Sequence, residues 1–126
     1  MFQGIIELMY FVEDREAAAR WYADLFGAPV ATLDTAPGAL FIRVGGQEVW
    51  FHQADRKVPA GAAGQVAYWR VDDFDAALAR AENGGGALYR GPLDRLDGFW
   101  MCQVRDPFGN LIGLVGPRQE KEEPNA

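Results

Sequence analysis

Positive charge is scarce in this chain. Twelve Lys and Arg stand against 18 Asp and Glu, for a formal net charge of −6 and an isoelectric point near 4.7. Grip on a nucleic-acid backbone needs clustered cations, so that class of partner is excluded. The same shortage disfavours an anionic membrane surface. An acidic surface mainly confers solubility and only weakly favours cationic partners. Cysteine is almost absent. Cys102 stands alone, which excludes an intrachain disulfide and fits a reducing, cytoplasmic compartment. No apolar run approaches the length of a membrane span. The opening MFQGIIELMYFVED lacks the basic start and small-residue cleavage site of a signal peptide and reads as a strand. No phosphate-binding loop, Ser-His-Asp grouping or CxxC pair occurs.

What is present is apolar and aromatic. Apolar residues make up 49% and aromatic ones 13% of 126 residues, enough for one compact domain with an aromatic core or pocket. Ile5 to Val12 is an apolar run holding one charge, Glu7, and its composition predicts a buried strand. Asp14 sits at a helix N-cap position, and Ala18, Trp21, Tyr22 and Leu25 follow at the spacing of one helical face. Gly27 and Pro29 end that helix. Strands are expected at Val30 to Leu33, Ala39 to Val44 and Gln47 to His52, the last two joined by a Gly45-Gly46 hairpin turn.

The pattern then restarts. Gln65 to Val71 reads as a strand, and Asp72 and Asp73 cap a helix with the face Phe74, Ala77, Leu78 and Ala81. Gly84 to Gly86 end it, and strands follow at Ala87 to Arg90, Phe99 to Arg105 and Leu111 to Val115. A shift of 59 residues lays Val12-Glu13-Asp14 on Val71-Asp72-Asp73 and Gly27-Ala28 on Gly86-Ala87. The identities are few, but the order of elements repeats with them. The expected organisation is therefore one domain of two modules, 4–53 and 64–116, with a linker at 54–63 and a mobile charged tail at 117–126.

A β-α-β-β-β unit covers one sheet face with its helix, so the other face must be buried or line a cavity. Period-two alternation assigns Ile6, Leu8, Tyr10 and Val12 to the helix side, together with Leu40, Ile42, Val44, Val49, Phe51, Trp69, Trp100, Cys102 and Val104. The opposite face collects Glu7, Met9, Phe41, Arg43, Glu48, Trp50, His52, Val66, Tyr68, Arg70, Met101 and Gln103. That mixture of aromatic walls and a few polar groups suits a small-molecule pocket. Each polar group has two readings. Glu7 is a general base or hydrogen-bond acceptor for ligand, or else half of an ion pair with Arg70 or Arg43. His52, the only histidine, is an acid-base group or a metal ligand, or else an ordinary exposed strand-end histidine. Trp50 and Tyr68 are candidates to stack on a ligand, or else core. Arg70 clamps an anion or is solvated, and Cys102 reads as a buried hydrophobe.

Three stretches carry a resemblance to a known family. They are the opening strand with Val-Glu-Asp and AAARWYADLFG, then VAYWRVDDFDAALARAENGGG, and last DPFGNLIGLVG. With them the chain resembles the vicinal-oxygen-chelate superfamily of glyoxalase I, extradiol dioxygenases, and fosfomycin- and bleomycin-resistance proteins, over roughly residues 4 to 116. The resemblance implies an α+β fold in which two tandem β-α-β-β-β modules form a cupped, partly open mixed-sheet barrel. In metal-using members four strand residues hold one divalent cation. Carried onto this chain, those positions are Glu7, Val66, Gly113 and Trp50, a slip of two residues moving the last to Glu48 or His52. One carboxylate among four is too few for a catalytic ion, which needs about three protein ligands. The expected function is therefore small-molecule binding without a metal cofactor, of the bleomycin-resistance type. The alternatives are a divalent-metal-dependent lyase, isomerase or dioxygenase with Glu7 as its catalytic group, and a non-catalytic interaction domain. A homodimer is expected, because open sheet edges pair between chains.

Overall fold

The computed structural model describes residues 1–119. Residues 120–126, most of the expected tail, lie outside the described residues. The chain is α+β and falls into two units, Met1–Gly61 with Phe108–Asn110, and Ala62–Pro107 with the chain from Leu111 onward.

The first unit runs β1 (Glu7–Val12), α1 (Arg15–Phe26), β2 (Ala31–Leu33), β3 (Ala36–Val44) and β4 (Gln47–Gln53), with sheet order β1-β4-β3-β2. The second runs β5 (Tyr68–Arg70), α2 (Phe74–Asn83), β6 (Ala87–Asp94), β7 (Trp100–Arg105) and β8 (Leu111–Gly116), with order β5-β8-β7-β6. In both sheets the first and fourth strands are parallel and the remaining pairs antiparallel. The repeated order of elements expected from the sequence is thus the architecture of the molecule.

Both helices start as their capping residues dictate. The Asp14 carboxylate accepts from the Ala17 N–H at 3.1 Å, and Asp73 accepts from Ala76 at 3.0 Å. Helix α1 ends on Gly27, whose φ of 67° is left-handed backbone that costs glycine nothing. Each helix then covers one face of its own sheet. Tyr22 is fully buried, stacks on Tyr10 with ring centroids 4.9 Å apart and meets Phe51 at 5.5 Å. Phe74, Leu78 and Ala81 are buried in the second unit, with Cys102, Val104, Ile112 and Leu114 on the sheet. Each large side chain buried in this way contributes roughly 1.5–3 kcal/mol.

Several element limits differ from the sequence reading. β1 begins at Glu7, because β4 offers its first parallel partner at Glu48. Ile5 and Ile6 lie ahead of it, each 83% exposed, so Ile6 does not reach the helix. β5 is cut to three residues, and Val66 precedes it outside any strand. β3 starts three residues earlier than expected, at Ala36. β6 continues through Gly91-Pro92 to Asp94, with two register irregularities on the way. Proline is tolerated there because β6 is an edge strand. At the expected tail, the Pro117 carbonyl accepts from the Phe74 N–H at 2.9 Å. Arg118 lies 4.2 Å over the Trp100 ring and pairs with Asp75 at 3.1 Å.

Candidate functional site

On the face of the first sheet away from α1, residues fall into cross-strand rows. Glu7 lies opposite Glu48, which lies opposite Arg43. Met9 lies opposite Trp50, which lies opposite Phe41. Phe11 lies opposite His52. Six of the residues singled out in the sequence, Glu7, Met9, Phe41, Glu48, Trp50 and His52, therefore share one surface. A hollow of about 340 Å³ opens there, walled by Glu7, Met9, Trp50 and His52 and by Arg15 and the 36–39 stretch.

Trp50, on the wall of the hollow, is held by its neighbours. Phe41 and Trp50 stack with centroids 4.5 Å apart and planes 12° from parallel. The Trp50 indole N–H donates to Glu48 Oε1 at 3.0 Å, and Arg43 Nε donates to Glu48 Oε2 at 3.0 Å. Both carboxylate oxygens of Glu48 are thereby engaged. The Trp50 indole first, then Arg43, hold the Glu48 carboxyl below its ordinary value, against a smaller opposing effect of desolvation. The Arg43 guanidinium also sits 5.0 Å over the Phe41 ring.

Glu7 differs from Glu48. Among the described residues of its own unit, the Glu7 carboxylate makes no hydrogen bond or ion pair, because Arg43 is taken by Glu48. Arg43 is therefore not its ion-pair partner. The His52 Nδ1 lies 3.2 Å from the Gln53 carbonyl, and its ring tilts against Phe11 at 5.4 Å. Arg15 was not singled out from the sequence. It sits one residue after the Asp14 cap, and its Nη1 donates to the Gly38 carbonyl at 2.6 Å. Only its place just past the strand end could have signalled it. Phe108–Asn110 complete this unit. Asn110 is buried, donates to the Phe11 carbonyl at 3.0 Å and accepts from the Gly61 N–H at 2.9 Å.

The second sheet carries its own face. Tyr68 lies opposite Gly113, which lies opposite Gln103, while Arg70 and Met101 flank Val115. The Gln103 amide donates to the Tyr68 hydroxyl at 2.8 Å. The Tyr68 ring covers Gly113 so closely that a Cβ there would stand 2.5 Å from Tyr68 Cδ1. Five of the six second-module candidates share this surface; Val66, outside the strand, is the exception. Cys102 is buried, and desolvation first, then Glu82, push its thiol up to about 11. Among the described residues no three His, Cys, Asp or Glu side chains gather into a group able to hold a metal ion. No helix there is long and apolar enough to cross a membrane.

The sequence profile of the Glyoxalase/Bleomycin resistance protein/Dioxygenase superfamily matches residues 4–114. The chain belongs to that superfamily. No curated protein sequence matches it. Solved structures of similar fold include TnmS3, an antibiotic binding protein from a Streptomyces species, at 25% identity and a TM-score of 0.71, covering 93% of this chain and 98% of that one. The fosfomycin resistance protein FosX from Mesorhizobium loti is 21% identical with a TM-score of 0.71, over 92% and 93% of the two chains. A protein from the mobile metagenome of V. pseudocholerae is 22% identical with a TM-score of 0.73, over 94% and 98%. These structures share the fold of this superfamily member.

Proposed function

We propose that this glyoxalase-superfamily chain binds a small molecule in the hollow on the first sheet, without a metal ion. The observation that carries the proposal is the Trp50–Phe41 stack, pinned by Glu48 beside an open hollow. A preorganised aromatic platform lowers the ordering cost of binding a flat ligand. The likeness to TnmS3, described as an antibiotic binding protein, supports the same reading.

The residues at the family's metal positions do not fit an ion. Val66 and Gly113 offer no side-chain donor atom, the space at Gly113 is filled by the Tyr68 ring, and both oxygens of Glu48 are already engaged. Glu7 alone falls short of the three ligands a catalytic ion needs. A metal-dependent lyase, isomerase or dioxygenase step has too few donor atoms to rest on. Thermal-shift screening of chelator-treated protein against planar aromatic compounds tests the proposal. Stabilisation by at least one compound, lost in Trp50→Leu, is expected. The absence of a shift with every compound class ends it.

We also infer a homodimer. Its support is the apolar exposure of edge strand β6, where Leu88, Tyr89 and Leu93 are each more than 40% exposed. Light scattering checks it, with twice the chain mass expected and a monomer contradicting it.

A further inference from the structure

The two ends of the hollow differ in charge, and the difference specifies the ligand. Glu7 and Phe11 are four residues apart on β1, roughly 13 Å at strand rise. Glu7 lies opposite Glu48, and Phe11 lies opposite His52, so the carboxylate and the imidazole stand at opposite ends, with Met9 and Trp50 between them. Arg15 belongs to the His52 end. It follows the close of β1, and its partner Gly38 precedes Phe41 on a strand antiparallel to β4, beyond Trp50 on that side. At the Glu7 end, Arg43 and Glu48 compensate each other. Glu7 is left there as a carboxylate with no partner among the described residues of its unit.

We infer that the ligand is a planar aromatic compound bearing a protonated amine, its ring stacked on Trp50 and its ammonium group directed at Glu7. The inference rests on the hollow being a ligand site. Two features act on such a group together. The Glu7 carboxylate supplies the counter-charge, and the indole face of Trp50 attracts a cation through its quadrupole. A carboxylate on the same ring meets like charge at the Glu7 end. Arg15, at the other end, gives one N–H to the Gly38 carbonyl and keeps its charge, so an anion reaches it only with its ring turned away from Glu7.

The test compares three probes of one ring system, naphthylmethylamine, naphthylmethanol and naphthoate, titrated calorimetrically into the full chain and into Glu7→Gln. The amine should bind about fivefold more tightly than the alcohol, the size of a partly exposed cation–π and ion-pair gain. Naphthoate should bind more weakly than the amine. In Glu7→Gln the amine should lose its advantage over the alcohol. Equal binding of amine and alcohol, or tightest binding of naphthoate, overturns the inference while leaving the hollow as a binding site. Binding of none of the three removes the site and the inference with it. Should Glu7→Gln misfold, the rank order on the unaltered chain decides, together with loss of the amine's advantage at high salt.

Discussion

The two sheets repeat each other strand for strand, yet their open faces are built in opposite senses. In the first, the row across the sheet is Met9, Trp50 and Phe41; in the second, the matching row is Tyr68, Gly113 and Gln103. The bulky ring has moved from the fourth strand to the first. Where it rises from the fourth strand it stacks on Phe41 and lines a hollow. Where it rises from the first strand it lies down over a glycine, with its hydroxyl taken by Gln103. The neighbouring row differs as well. Glu7, Glu48 and Arg43 carry charge in the first sheet, whereas Arg105 faces Leu111 in the second. A repeated backbone thus does not repeat a site. The size of one side chain on the strand lattice decides whether a face stays open or fills itself.

The sharpest way to break this comparison is at the strand ends. Gln53 in β4 and Gly116 in β8 occupy matching places, opposite Val12 and next to Val71. Gln53 carries a side chain that donates to the Glu13 carbonyl at 3.2 Å, while a Cβ at Gly116 would run into the Val71 backbone carbonyl. Gly116→Ala should therefore cost about 3 kcal/mol and Gln53→Ala about 0.5 kcal/mol in denaturant unfolding. Similar losses at both positions would show that the two units are not constrained differently.

Trp50→Leu should weaken binding of a planar aromatic probe about tenfold, or about 1.4 kcal/mol, in a fluorescence titration. Gly113→Ala should displace the Tyr68 ring and break its bond to Gln103, costing about 1 kcal/mol in a thermal melt. The ring can swing toward solvent, which keeps that cost below the loss at Gly116. Glu48 gives a signed pH effect. Its folded-state value lies below the ordinary 4.5, so its contribution is complete above that value and disappears as the pH falls through the lowered one. Acidification should free the Trp50 indole from Glu48 and shift its fluorescence, a step that Glu48→Gln removes. The smallest effect belongs to Cys102. With its thiol raised from 9.0 to about 11, its contribution is complete below the lower figure and is lost as pH rises through the upper one. Iodoacetamide at mildly alkaline pH should leave the folded chain unlabelled and label it once unfolded.

The faces of the strands were legible because alternation with period two follows from the pleat. Glu7, Met9, Phe41, Trp50 and His52 were assigned to one surface on that ground alone, and Asp14 and Asp73 to helix caps on the strength of their spacing. The partner of Glu7 was not legible. A slip of two residues leaves every side chain on the same face, so alternation cannot choose among Glu48, Trp50 and His52. The parallel pairing of β1 with β4 makes that choice by setting Glu7 opposite Glu48, while the Gly45-Gly46 turn sets only Arg43 opposite Glu48. Nor could the sequence show that Glu48 would bind both Arg43 and Trp50, or that Arg15 would reach Gly38, 23 residues away. β5 is shorter than the apolar run from Gln65 to Val71 because only Tyr68, Trp69 and Arg70 find strand partners in β8.

Metal-independent binding on the Trp50 platform is tested most directly by titrating naphthylmethanol into chelator-treated protein, with and without added zinc or manganese. The same dissociation constant in each case, with binding lost in Trp50→Leu, is the predicted result. Binding that appears only after a divalent ion is restored, at a ratio near one ion per chain, would contradict it.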